Sequence, residues 1–230
     1  MIDPLAGRPV AERAVAERVG EVRGRIAAAA RRAGRDPADV TLVAATKTVE
    51  PARVRAVVEA GVPDVGENRA QELLTKAAVA GMPPVEVRWH FLGRLQRNKV
   101  KALAPWVACW QSVDRPALGT EIARRAPGAR VLVEVNLGEE PQKGGCPPGD
   151  LADLVERLRA DGLDVAGLMT VPPRSGEPRR FFAALREHAV ALELPELSMG
   201  MTDDFEAAVE EGATLVRVGR ALFGARPESR

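Results

Sequence analysis

The stretch DVTLVAATKTVEPARVRAVVEAG, residues 39–61, decides the fold. It opens as a short β-like run, DVTLVAAT, and after Pro51 the apolar residues Val54, Val57 and Val58 recur at helical spacing until Gly61 closes the segment. A strand followed directly by a helix is one β/α unit. The turn that joins them, ATKTVEP, lacks the glycine fingerprint that a dinucleotide-binding sheet places at its first strand-to-helix turn.

Outward from this stretch the same alternation recurs. Further β-like runs lie at 63–68, 87–93, 107–113, 129–137, 163–171, 196–201 and 213–219, and the segments between them, such as LADLVERLRADG and RRFFAALREHAVAL, have helical spacing. Upstream, residues 10–33 place Val10, Val15, Val19, Val22 and Ile26 on one helical face, with Gly34 as a stop. Eight alternating units require a parallel sheet, and 230 residues fall slightly below the roughly 250 typical of a closed barrel. The expected fold is α/β, a single (β/α)8 TIM-type barrel with an extra N-terminal helix; an open doubly wound sheet is the alternative. One domain is expected, with a helical extension at 1–37, the barrel at 38–226 and a tail at 227–230.

Composition narrows the function. Lys and Arg number 33 against 32 Asp and Glu, so no net field would gather nucleic acid or an anionic membrane surface. No apolar stretch approaches the roughly 20 residues of a bilayer span, and the N-terminal segment lacks the order of a secretory signal. A cytoplasmic protein without nucleic-acid or membrane partners is expected. Cys109 and Cys146 give neither a disulfide framework nor a metal spacing. With only His90 and His188, and no tyrosine, zinc sites and histidine-based triads are poorly supplied.

In a barrel, functional side chains gather where strands end, at the C-terminal face. Lys47 ends an apolar run in which Thr41, Val43, Ala45 and Lys47 share a face. It is either a lysine leaving the rim for solvent or a lumen-facing amine, whose burial favours the neutral form that condenses with aldehydes. Near the last two runs, Ser198, Gly200 and Thr202 precede a helix that Asp203 is expected to cap, with Glu206 as its capping-box partner, and Gly219 and Arg220 open another. Their N–H groups and hydroxyls suit a phosphate dianion; ordinary capping is the other reading. Arg217 shares a face with Leu215 and Gly219, and an arginine in an apolar strand needs a partner, either Glu134 or an acceptor on a ligand ring. Glu67, Asn68 and Asn136 either contact a ligand or hold loops together. His90 reads as a core histidine, His188 as a structural helix residue, and RLQRNKVK (94–101) as a solvated basic face.

Seven motifs then follow one another in a specific order: ATKT around Lys47, GENRAQE (66–72), WHFLGRLQRNK (89–99), VNLGEEPQKGG (135–145), GLMT (167–170), LSMGMTDDFEAAV (197–209) and VRVGRALFG (216–224). Through them the chain resembles the YggS/PROSC family of pyridoxal-phosphate homeostasis proteins, from the N-terminal helix to about Arg226. The resemblance implies a barrel similar to the N-terminal domain of alanine racemase, with pyridoxal 5'-phosphate (PLP) joined to Lys47 as a Schiff base. It further implies phosphate contacts from Ser198, Gly219 and Arg220 with help from Thr202, Arg217 facing the pyridine nitrogen, and Asn68 beside the ring. Two departures stand out: Gly144 replaces the serine that often follows the loop lysine, here Lys143, and Thr202 replaces a second serine.

The expected function is a carrier or buffer for intracellular PLP with no substantial turnover, acting as a monomer and supplying PLP-accepting apoenzymes. A PLP-dependent amino-acid racemase is the alternative, and a cofactor-free Schiff-base aldolase ranks last because two histidines offer it little acid/base chemistry. Racemisation is disfavoured because a permanent cation beside the pyridine nitrogen discourages its protonation. The tyrosine that a racemase of the resembling fold uses as a base is absent from the chain.

Overall fold

The protein is described by a computed structural model that covers residues 10–79, 87–140, 142–173 and 176–224. The expected N-terminal extension is therefore seen from residue 10, and the expected tail, 227–230, lies outside the described residues. Eight strands are found among the described residues: β1 (Thr41–Ala45), β2 (Asp64–Glu67), β3 (Arg88–Phe91), β4 (Val107–Val113), β5 (Arg130–Glu134), β6 (Asp164–Met169), β7 (Glu196–Ser198) and β8 (Leu215–Val218). All neighbours pair in parallel, and β8 closes on β1 with Val43 opposite Arg217 and Ala44 opposite Val218. The open-sheet alternative is thereby excluded.

Helices α2 (Pro51–Glu59), α3 (Ala70–Val79), α4 (Arg97–Leu103), α5 (Pro116–Arg125), α6 (Leu151–Ala160), α7 (Pro178–Ala191), α8 (Phe205–Glu210) and α9 (Arg220–Phe223) follow the strands in turn. Three of them, α2, α5 and α7, start on a proline, whose fixed φ and missing N–H suit a first helical turn. Helix α1 (Val10–Arg32) precedes the barrel and ends before Gly34, which takes φ +68° as a left-handed stop. Its buried residues Val15, Val19, Val22 and Ile26 face α2, α8 and α9. Each such burial stabilises by about 1.5–3 kcal/mol. Arg25 holds Glu206 through two 3.0 Å bonds and lies 4.5 Å over the Phe205 ring, tying α1 to α8.

Two packing regions result. The larger lies between sheet and helices; the smaller, Cys109, Leu132, Ala166 and Met169, fills the lumen. Below it, the first residues of five strands close the N-terminal mouth: Arg88 grips Asp64, and Arg130 bridges Asp164 and Glu196. Function is thus left to the C-terminal mouth.

Candidate functional site

Lys47 follows β1 on a turn that is held from beneath. The Thr46 N–H donates to the Gly66 carbonyl at 2.9 Å, and its hydroxyl donates to Glu67 Oε1 at 2.6 Å. Lys76 Nζ, only 5% exposed, donates to the Thr46 carbonyl at 2.6 Å and to Glu67 Oε1 at 2.5 Å. On the far side of the turn Thr48, at φ +64°, donates its N–H to Glu72 at 2.9 Å. Lys47 itself is half-buried at the rim, between the fully lumenal and the solvated position.

The β1–β8 register sets what stands beside it. Gly219 continues the inward face of β8, and a Cβ added there would come within 3.0 Å of the Ala45 carbonyl, two residues before Lys47. Gly219 is also the N-cap of α9, whose Ala221 N–H reaches Thr202 Oγ1 at 3.4 Å. Gly200 turns the chain between β7 and Thr202 at φ +89°, where a side chain would strike Phe205 and Ala208. The end of β1 that leads into Lys47, Gly219 and Thr202 are therefore brought to one side of the mouth. The Arg220 side chain turns outward to Asp203. That pairing corrects the expected cap: α8 starts one residue later, after Asp204, whose carboxylate accepts the Met201 N–H at 2.6 Å, and Glu206 serves Arg25 instead of a capping box.

Arg217 lies in the floor of this site. Its Nη1 donates to Ser198 Oγ at 2.6 Å and its Nη2 to the Thr170 carbonyl at 2.9 Å. Burial lowers it to about 10, against the pull of Glu134 and Asp204, so it remains a cation at neutral pH. Glu134 acts on it through space, without the direct pair that was one of the two expected partners. Ser198 is fully buried and its hydroxyl also donates to Gln111 Oε1 at 2.6 Å, so it stands beneath the mouth and not at its surface. Gln111 and Thr170 are site-floor residues that the sequence reading passed over.

The remaining candidates separate. Asn68 is half-buried at the end of β2, where its carbonyl abuts Gly93 so closely that a Cβ there would sit 2.2 Å away. Asn136 exchanges bonds with Glu140 at 3.0 and 3.3 Å and so holds its loop. Lys143 pairs with Glu140 and donates to the Pro172 carbonyl at 3.1 Å. His90 is a buried core histidine between Asp64 and Gln111, and His188 lies in the last turn of α7. Arg94, Arg97, Lys99 and Lys101 are exposed; Arg94 and Lys99 border a cavity of about 850 Å³ between α3 and α4, away from Lys47. Among the described residues no cluster of His, Cys, Asp and Glu is placed to hold a metal ion. Nor is any helix of the described residues long and apolar enough to cross a membrane.

Burial, with the Asp114 carboxylate adding to it, pushes Glu134 up to about 7, against the opposing effect of Arg217 and Arg94. The folded state then holds this proton more tightly than the unfolded chain, so the stabilisation is complete below about pH 4.5 and is lost as pH rises through about 7. Relative to Glu134→Gln, the stability of the native protein is expected to fall by up to about 3 kcal/mol across that window. Denaturant unfolding of both proteins at several pH values checks this; a constant difference would mean that Glu134 keeps its ordinary titration.

Comparison with known proteins agrees with this architecture. The family model described as alanine racemase, N-terminal domain, matches residues 19–227. A pyridoxal phosphate homeostasis protein of Aquifex aeolicus is 44% identical over 224 residues, covering 91% of this chain and 97% of its own length. One of Pseudomonas aeruginosa is 43% identical over 223 residues, covering 92% and 96%. Among solved structures, PipY of Synechococcus elongatus with PLP bound superposes with a TM-score of 0.80 at 33% identity, over 91% of this chain and all of that one.

Proposed function

Because the chain belongs to the alanine racemase N-terminal domain family, and its close relatives are named as pyridoxal phosphate homeostasis proteins, we propose that it binds PLP and serves the intracellular homeostasis of that cofactor. The observation that supports the reading is the β1–β8 register, which brings the Ala45 carbonyl, two residues before Lys47, against Gly219, the cap of the helix whose Ala221 N–H reaches Thr202. These residues fit the group: a primary amine at the rim, backbone N–H groups with a hydroxyl for a phosphate, and a cation in the floor. When bound, PLP supplies an aldehyde that a primary amine can condense with and a ring that can draw electrons.

Lys47 provides that amine, from a turn too well tied to wander. Thr202 Oγ1 and the N–H groups after Gly219 hold the phosphate, and Arg220 contributes its backbone while its side chain answers Asp203. Arg217 directs its charge at the pyridine nitrogen, and Asn68 borders the ring. Ser198 is expected among the phosphate contacts and accepts a bond from Arg217. Charge-assisted hydrogen bonds of this kind are worth about 1.5–3 kcal/mol each. Pyridoxal lacking the phosphate is therefore expected to be retained at least ten-fold less well than PLP by equilibrium dialysis; equal retention would remove the phosphate assignment.

The cofactor is carried and not used for turnover. Arg217 stays cationic and discourages protonation of the ring nitrogen, which weakens the ring as an electron sink. A second chain could not provide a missing phenol, since the sequence contains no tyrosine, and His90 is enclosed between Asp64 and Gln111. The protein acts in the cytoplasm as a monomer and delivers PLP to apoenzymes that accept it. Incubation of PLP-loaded protein with single-enantiomer amino acids in deuterated water is expected to give no sustained α-proton exchange. Inversion over many turnovers would establish the racemase reading in its place.

A further inference from the structure

Arg217, in the floor of the site, is the end of a line of buried polar groups that runs across the lumen. Arg217 Nη1 donates to Ser198 Oγ at 2.6 Å, Ser198 Oγ donates to Gln111 Oε1 at 2.6 Å, and Gln111 Nε2 meets His90 Nδ1 at 2.7 Å. His90 Nε2 meets Asp64 Oδ1 at 3.0 Å, and Asp64 is gripped from the N-terminal mouth by Arg88 at 2.8 and 2.5 Å. The line crosses the barrel from β8 and β7 to β4, β3 and β2, and Ser198 and Gln111 are 0% exposed while Arg217, His90 and Asp64 are each 5% exposed.

With a neutral imidazole its direction is fixed. A guanidinium can only donate and a carboxylate can only accept, so each group between them accepts on one side and donates on the other. Ser198 accepts from Arg217, and its one O–H then points to Gln111. The Gln111 amide must offer its oxygen to Ser198 and its NH2 to His90, which leaves His90 Nδ1 as acceptor and places the ring proton on Nε2, toward Asp64. Turning the amide over would set NH2 against the serine hydroxyl and require a proton on Nδ1. On a neutral ring, two acceptors, Nε2 and the carboxylate, would then face each other across 3.0 Å. Buried bonds aligned head to tail in this way reinforce one another.

We propose that Asp64, His90, Gln111 and Ser198 form a polarised relay that positions Arg217, so that the guanidinium in the cofactor floor is oriented from the opposite mouth of the barrel. The role of Arg217 toward PLP rests on the function proposed above; the relay itself does not. These four are positioning residues, since none of them reaches the mouth where Lys47 stands.

Nitrogen-15 NMR of the PLP-free protein tests the relay directly, because the chain has only two histidines and His188 lies on a helix. His90 is expected as a single Nε2–H tautomer. An Nδ1–H tautomer, a mixture of the two, or a doubly protonated ring would overturn the proposal. Two substitutions test the coupling. Arg217→Met removes the donor-only end and is expected to turn the His90 signal into a tautomer mixture; an unchanged signal would show that the line transmits nothing. Gln111→Met interrupts the middle and is expected to lower PLP retention by about ten-fold and to shift the absorption maximum of the bound cofactor. Retention and spectrum like those of the native protein would refute the positioning role. Should native protein fail to take up PLP at all, the functional reading falls while the tautomer measurement still decides the relay.

Discussion

Lys76→Met is expected to destabilise the protein by about 3–5 kcal/mol, although the side chain lies on a helix and touches no ligand. The cost comes from what is left behind. Glu67 is fully buried, its Oε1 is shared by Lys76 at 2.5 Å and Thr46 at 2.6 Å, and its Oε2 has no hydrogen-bond partner. Without the ammonium, an uncompensated carboxylate stays in the core and the Thr46 carbonyl loses its donor. Glu72, 3.6 Å from Lys76 Nζ, is partly solvated and is relieved by water. The double substitution Lys76→Met with Glu67→Leu is expected to recover most of the loss, because replacing both members of a buried pair by apolar groups is often close to neutral. Denaturant unfolding followed by tryptophan fluorescence measures both variants against the native protein. A Lys76→Met cost below about 1 kcal/mol would mean that the pair is solvated in practice. The consequence for function is local: this pair fixes the turn that carries Lys47.

The architecture was legible because parallel strands buried on both faces leave short apolar runs, and the helices between them keep a different period. Lys47 and Arg217 stood out for the related reason that a charge at the end of, or within, an apolar run demands an explanation. Other features depend on geometry that a two-residue period does not carry. The pairing register shifts at Trp89/His90 between β3 and β4, and again at Trp110/Val113 between β4 and β5. Alternation puts Gln111 on the lumenal face with Cys109, but its meeting with Ser198 of β7 depends on how the barrel closes, which the sequence does not carry. The same closure brings Ser198, expected from the resemblance at the phosphate, between Gln111 and Arg217. Helix α8 starts after Asp204 instead of Asp203, with no side-chain cap from Asp204, whose carboxylate instead accepts the Met201 N–H ahead of the helix. Lys76 looked like an ordinary polar helix position; only the fold brings Glu67 and the Thr46 carbonyl to it.

Lys47→Ala is expected to abolish covalent retention of PLP while leaving the protein folded. The residue lies beyond the last pair of β1, half-buried at the rim, on a turn that Thr46 and Thr48 hold through backbone and side-chain bonds that an alanine at 47 leaves in place. Removal of a rim side chain away from the core usually changes stability by less than about 0.5–1 kcal/mol. The chemistry, by contrast, has no substitute at that place: Lys76 is enclosed by Glu67 and Thr46, and Lys143 is turned toward Glu140 and Pro172. The decisive measurement is borohydride reduction of the PLP-loaded native protein followed by peptide mapping. The cofactor is predicted on the peptide containing Lys47, with no reduced adduct in Lys47→Ala; a cofactor fixed to Lys76, Lys99, Lys101 or Lys143 in the native protein would contradict the assignment.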